Sequence, residues 1–112
     1  MLSWPSIGAV NEAICQAIRQ RRLIRFPYGG GDRLVEPHCH GTSALGQEML
    51  LAYQTAGHSS SGLAEGWKMF AVARMGPIAD AGQRFASPRP RFDPTRTLTR
   101  VHCSVPVLRL AP

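Results

Sequence analysis

The sequence predicts a mainly β domain with an N-terminal α-helix, its roughly five short strands closing into a small β-barrel. Three observations carry this. Gly and Pro number 11 and 9 in 112 residues, so turns are frequent and elements short. One stretch near the N-terminus repeats its apolar residues at helical spacing. The segments after it alternate apolar and polar residues and recur every ~8–12 residues, the rhythm of a barrel. Hydrophobic residues at 44% and charged residues at 18% fit a folded chain and exclude a disordered one. The length fits one domain, divided as a helix in 1–20, the main strands in 21–75 and a Pro/Arg-rich segment with a last strand in 76–112.

Ser6 is placed to N-cap a helix that runs to about Gln20. Ile7, Val10, Ile14 and Ile18, with Ala13 and Ala17, form its apolar side, and Arg19, Arg21 and Arg22 crowd its C-terminal end, where cations complement the helix dipole. Leu23 to Tyr28 follows as a strand, with Ile24, Phe26 and Tyr28 on one face. Pro27 donates no hydrogen bond and belongs at an edge or a strand end. Gly29-Gly30-Gly31-Asp32 supplies a tight reversal into a second strand, Arg33 to His38. Those glycines need no phosphate to explain them, because no Lys-Ser/Thr pair follows and no helix opens there.

Gly41 to Gly46 reads as a turn and Glu48 to Thr55 as a central strand, apolar on both faces. A polar loop from Gly57 to Gly66 leads to a fourth strand, Trp67 to Met75. Pro77 to Ala86 reads as a connection, and SPRPRFDP (87–94) as an extended, Pro-punctuated segment. Thr97 to Leu108 is the last strand, broken near Pro106. Closure of these strands removes edges that would invite aggregation.

The formal charge is +6 and uneven. Residues 1–73 carry six cations against five anions, whereas residues 74–112 carry seven Arg against two Asp. Arg grips phosphate bidentately and stacks on bases, so the excess suits an anionic ligand or a nucleic acid. The N-terminus has no signal-peptide pattern, and no apolar run approaches the ~18–20 residues that span a bilayer. No membrane association is expected. An odd count of three cysteines (Cys15, Cys39 and Cys103) without a signal peptide reads as free thiols in the cytoplasm.

The stretch AIRQRRLIRFPYGGGDRLVEPHCHG, then EMLLAYQTAGHS, then GWKMFAVARM, with a weaker echo in FASPRPRFDP, resembles the WYL domain family over roughly residues 13–75. The resemblance rests on Ile24-Phe26-Tyr28, Arg33-Val35-Pro37, Met49-Leu50-Leu51-Ala52-Tyr53 and Phe70-Val72-Arg74-Met75, in order and at natural spacings. Glu48 and Met49 replace the Trp and Tyr that name the family, and Ala71 and Ala73 replace an Arg and an Asp of its fourth strand. The chain is similar to a compact branch that lacks the usual winged-helix DNA-binding domain. The resemblance implies an Sm-like, SH3-type β-barrel that senses a nucleotide or single-stranded nucleic acid and serves transcription regulation.

The residues expected to meet such a ligand are Tyr28, Arg33, His38, Tyr53, Lys68, Arg74, Arg89 and Arg91. Tyr28 and Tyr53 offer rings for base stacking, and otherwise sit in the core as aromatics with polar tips. Arg33, Lys68 and Arg74 line a phosphate track if their strands share a groove, and are otherwise solvated strand charges. His38 supplies a pH-responsive donor beside bound phosphate. Arg89 and Arg91 are two apart and face one way if the segment is extended, with Phe92 turned inward. The alternative leaves Phe92 a seal with both Arg side chains in water.

His38 and His40 share a face of an unbroken strand, with Cys39 pointing away and His58, His102 and Cys103 as further metal candidates. Their spacing matches no C-x2-C or H-x3-H pattern, so neither metal nor cofactor is expected. No carboxylate pair or Cys–His pair sits at catalytic spacing, so the chain reads as a binding module and not an enzyme. A protein-interaction module docking through its barrel or helix, as a homodimer or on a larger partner, is the alternative.

Overall fold

The computed structural model describes residues 7–59, 62, 64–93 and 98–106. A 14-residue helix, α1 (Ile7–Gln20), precedes strands β1 (Arg22–Tyr28), β2 (Gly31–Thr42), β3 (Glu48–Gly57) and β4 (Gly66–Ala71). A short 3-10 turn (Val72–Arg74), β5 (Ala79–Arg84) and β6 (Arg100–Ser104) complete the order. The expected cap, Ser6, lies outside the described residues, as do parts of the expected last strand.

The helix ends because Arg21 turns left-handed, with φ at 54°, and its N–H bonds back to the Ile18 carbonyl at 3.1 Å. Ile14, Ala17 and Ile18 bury as the periodicity predicts, while Ala13 stays exposed. They pack with Ile24, Phe26, Val35, Leu50 and Phe70 in one core. Phe26 and Phe70 meet edge to face at 5.0 Å, and Tyr28 meets Phe70 the same way at 4.9 Å. Each fully buried aliphatic or Phe side chain here contributes about 1.5–3 kcal/mol.

All pairings are antiparallel, in the order β4-β3-β2-β1-β5, with β6 paired to β2 off that path. The long β2 organises the sheet. One edge pairs with β3 along most of its length; the other takes β1 at Gly31–Val35 and β6 at Cys39–Thr42. The hairpin into β2 turns on Gly29 and Gly30, at φ 61° and 99°, as the glycine run predicts. The sheet is not closed, since β4 and β5 end the path without pairing each other, so strand pairing does not establish the expected barrel.

Four boundaries differ from expectation. β2 continues through Gly41 and Thr42, because Gly41 lets the backbone of β6 approach where a Cβ would meet the Arg100 carbonyl. β4 stops at Ala71, and Val72–Arg74 coils into the 3-10 turn that brings the Gly76 N–H to the Pro27 carbonyl at 2.9 Å. The connection 77–86 contains a sixth strand, β5, whose ADAGQR sequence has almost no apolar pattern because five of its six residues are exposed. It forms by pairing with β1, and the Arg22–Asp80 ion pair at 3.2 Å braces it. The last strand narrows to Arg100–Ser104 among the described residues.

The expectation of three free thiols is also corrected: Cys15 and Cys103 form a disulfide across 88 residues. The helix and β6 bring their Cα atoms to 5.7 Å, within bonding reach of one another. Only Cys39 remains a free thiol, buried. Among the described residues no helix is long and apolar enough to cross a membrane.

Candidate functional site

Cross-strand partners share a face, so the register sorts the side chains. Val35, Leu50, Ala52 and Phe70 belong to the core beside α1. Glu36, Tyr53 and Trp67 are successive partners on the other face. Residues 85–92 fold across that outer face. Phe85 stacks on His38 at 5.0 Å, and Phe92 stacks on Trp67 at 5.8 Å. The Trp67 Nε1–H donates to the Pro90 carbonyl at 3.0 Å, pinning the segment at its turn.

Arg89 is the centre of this arrangement. Its guanidinium forks onto Glu36, Nε to Oε1 at 2.8 Å and one terminal nitrogen to Oε2 at 2.9 Å. The same group lies 4.3 Å over the Tyr53 ring. The Glu36 side chain is only 7% exposed, so Arg89 neutralises a carboxylate that would otherwise be buried alone. Arg91 occupies the turn at φ 67° and is exposed. The two Arg therefore do not run side by side as an extended segment requires; the turn at 90–91 separates them.

His38 is fully buried beneath this segment. Its Nδ1 lies 2.8 Å from the Glu36 carbonyl, and its Nε2 accepts the Arg89 backbone N–H at 3.1 Å. A carbonyl only accepts and an N–H only donates, so Nδ1 carries the proton and the ring is neutral. Burial lowers its pKa, against the pull of Glu36. Both ring nitrogens are thus engaged within the chain, and the expected donor to bound phosphate has no free N–H.

Of the remaining expected site residues, Tyr28 and Arg33 meet each other, the Arg33 guanidinium 5.5 Å from the Tyr28 ring centroid. Tyr28 packs edge to face on Phe26 and Phe70, and its hydroxyl accepts the Ala71 N–H at 3.0 Å. Arg33 is 5% exposed and donates to the Tyr28 carbonyl and to Gln54 Oε1 at 3.1 and 3.2 Å. Lys68 opposes Ala52 on the helix side of the sheet and reaches Ser59 at 3.2 Å. Arg74 is exposed on the 3-10 turn. The sheet brings together His38, Tyr53 and Arg89, and separates them from Tyr28, Arg33 and Lys68. Trp67, Phe92 and Glu36 complete the outer cluster. Only Glu36 carried a local signal, a charge alternating with the apolar Val35; beside Lys68, Trp67 reads locally as the inward residue of the pair, and Phe92 lies outside any strand.

A second cluster sits on the helix side. Pro37 and Cys39 face consecutive residues of β3, Ala52 and Leu51, so His38 is an extra residue, a β-bulge. It resets the alternation. His40, expected to share the face of His38, instead opposes Leu50 on the core side and packs against α1. Its Nδ1 lies 3.7 Å from Cys15 Sγ, and its Nε2 lies 3.0 Å from Glu48 Oε2, within ion-pair distance. Burial lowers the His40 pKa, with Glu48 opposing the shift. His102 Nε2 reaches the same Glu48 carboxylate at 3.1 Å.

Fold and site together define a small, mainly β domain with one helix and a half-exposed aromatic and cationic cluster on the sheet's outer face. Comparison with known protein families gives no match, and no curated protein or solved structure is similar enough to align with the chain.

Proposed function

We propose that the chain is a binding module for a nucleotide or a short run of single-stranded nucleic acid, which docks on the outer face of β2, β3 and β4. One observation carries this reading. Tyr53, Trp67 and Phe92 lie half-buried on one sheet face, with ring centroids 5.7–5.8 Å apart from ring to ring, and Arg89 rests on Tyr53, while Arg91 is exposed at the turn that follows. Base stacking on such rings is tolerant of sequence, and cations beside them attract phosphate. The charge of +6 favours the same class of ligand. So does the WYL resemblance, with the Sm-like, SH3-type barrel and the role in transcription regulation that it implies. In this reading Tyr28, Arg33 and His38 shape the scaffold, while Tyr53, Trp67, Phe92 and Arg91 meet the ligand.

Binding of short single-stranded DNA and RNA across a salt series tests it. Tyr53→Leu should weaken binding by about 1–3 kcal/mol through lost stacking. Arg91→Ala should lower the salt slope by about 1 and weaken all sequences alike. Absence of binding to either oligonucleotide or to free nucleotides at low salt, with the protein folded, overturns the proposal.

A further inference from the structure

We propose that Cys15, Cys103 and His40 bind one thiophilic divalent cation, such as Zn²⁺, when the disulfide is reduced, with Glu48 orienting His40 as the acceptor behind it.

The three donors come from α1, β6 and β2, and their ligand atoms all lie within 4.8 Å of one another. His40 and Cys103 are direct cross-strand partners. Zinc with sulfur at about 2.3 Å and nitrogen at about 2.0–2.1 Å in a tetrahedron separates those ligands by about 3.6 Å. The Cys15 Sγ to His40 Nδ1 distance of 3.7 Å already matches that span. The two sulfurs need to part, with the Cys103 sulfur, within 4.8 Å of the His40 nitrogen, settling to the same span.

A further observation points to a ligand here. Among the described residues, the buried side-chain polar atoms without a hydrogen-bond partner are His40 Nε2 and Asn11 Oδ1, and both residues line one open cavity. His40 is 1% exposed, and the group placed to satisfy its Nε2 is Glu48 Oε2 at 3.0 Å, which needs that nitrogen to carry the proton. A cation on Nδ1 fixes the proton on Nε2, which lies beside Glu48 Oε2. That is the carboxylate–histidine–metal relation that orients a ligating imidazole. Glu48 and Glu12 border the cavity with negative charge, set against Arg19 on the same wall. With three protein ligands, the fourth position falls to water from the cavity.

The chemistry balances with a dithiol reductant. Two electrons and two protons pass from the reductant to the Cys15–Cys103 bond, which breaks to two thiols as the reductant becomes a disulfide. The cation then displaces both thiol protons to solvent. Thiolate pairs with imidazole favour zinc over magnesium or calcium. Helix and β6 are thus tied by a covalent bond when oxidised and by a metal when reduced. The usual finger spacings are absent because the ligands lie 88 residues apart at the extremes and meet only through the fold.

The test uses the whole chain, reduced with a phosphine that is then removed without oxygen, and titrated with Co²⁺. The expected result is one Co²⁺ per chain with a thiolate-to-metal charge-transfer band, displaced by Zn²⁺ and absent from the disulfide form. His40→Ala and Glu48→Gln should each weaken binding about 10–100-fold, while Cys39→Ser leaves it unchanged. His40→Ala retains the disulfide, so its fold is verified by circular dichroism before reduction. If the reduced apo chain unfolds, Co²⁺ should restore its circular dichroism. The proposal is overturned if reduced protein takes up no stoichiometric Co²⁺ with that band, if Co²⁺ fails to refold an unfolded reduced chain, or if His40→Ala binds as tightly as the parent.

Discussion

Arg89→Ala should destabilise the protein by about 2–3 kcal/mol, and the sum can be worked from the contacts. Removing one partner of a fully buried ion pair costs about 3–5 kcal/mol, because the other charge stays buried and unpaired. Glu36 meets that condition at 7% side-chain exposure, but Arg89 is 38% exposed, and water reached through its gap would screen part of the charge. About 2 kcal/mol is a fair share. The guanidinium over Tyr53 at 4.3 Å adds about 0.5–1 kcal/mol. The Arg89 backbone N–H that holds His38 is untouched by the substitution, so that bond adds nothing to the loss. For a domain of this size the sum lowers Tm by about 8–12 °C. Urea unfolding of the parent, Arg89→Ala, Glu36→Gln and the double variant forms a cycle that isolates the pair. Glu36→Gln in the Arg89→Ala background should recover stability, since an amide carries no stranded charge. A loss below about 0.5 kcal/mol, or a coupling near zero, refutes the view that this fork closes segment 85–92 over the sheet.

Stability of the oxidised protein should fall as pH drops below ~6.5. His38 has its folded pKa lowered by burial, so the unfolded chain takes up its proton first, and the stabilisation present above the unfolded value is lost as pH falls toward the folded one. The groups facing it are Glu36, Arg89 and the rings of Trp67, Phe85 and Phe92. His38→Gln should flatten its part of that slope in urea midpoints between pH 7 and 5; an unchanged slope contradicts the neutral ring. Burial pushes the Cys39 thiol up to about 11, so native oxidised protein should resist alkylation at pH 8 and yield one reactive thiol in denaturant. Three reactive thiols there would disprove the Cys15–Cys103 bond. Gly41→Ala should unpair β6 from β2 at a cost of about 2 kcal/mol or more, because the new methyl meets backbone and not a mobile side chain. Faster amide exchange across Arg100–Ser104 is the readout, and unchanged protection there would argue against the close approach.

The sequence by itself determined the elements whose signal is local. Helical spacing of Ile14, Ala17 and Ile18 placed α1, alternation placed β1, a short run apolar on both faces placed β3, and three glycines placed the turn between β1 and β2. These need only the chain's own periodicity and the φ angles its residues tolerate. Tertiary structure decided the rest. β5, ADAGQR, is mostly exposed with no large apolar residue, and it is a strand because β1 offers it an edge. One extra residue at His38 reversed the faces of everything after it, so the two His separated into different clusters. The Glu36–Arg89 fork and the Cys15–Cys103 bond join residues 53 and 88 positions apart. No local pattern encodes which distant groups meet, because that depends on register and on where the chain crosses itself. A charged or reactive side chain therefore announces itself in sequence, while the partner that consumes it or leaves it free appears only in the folded sheet.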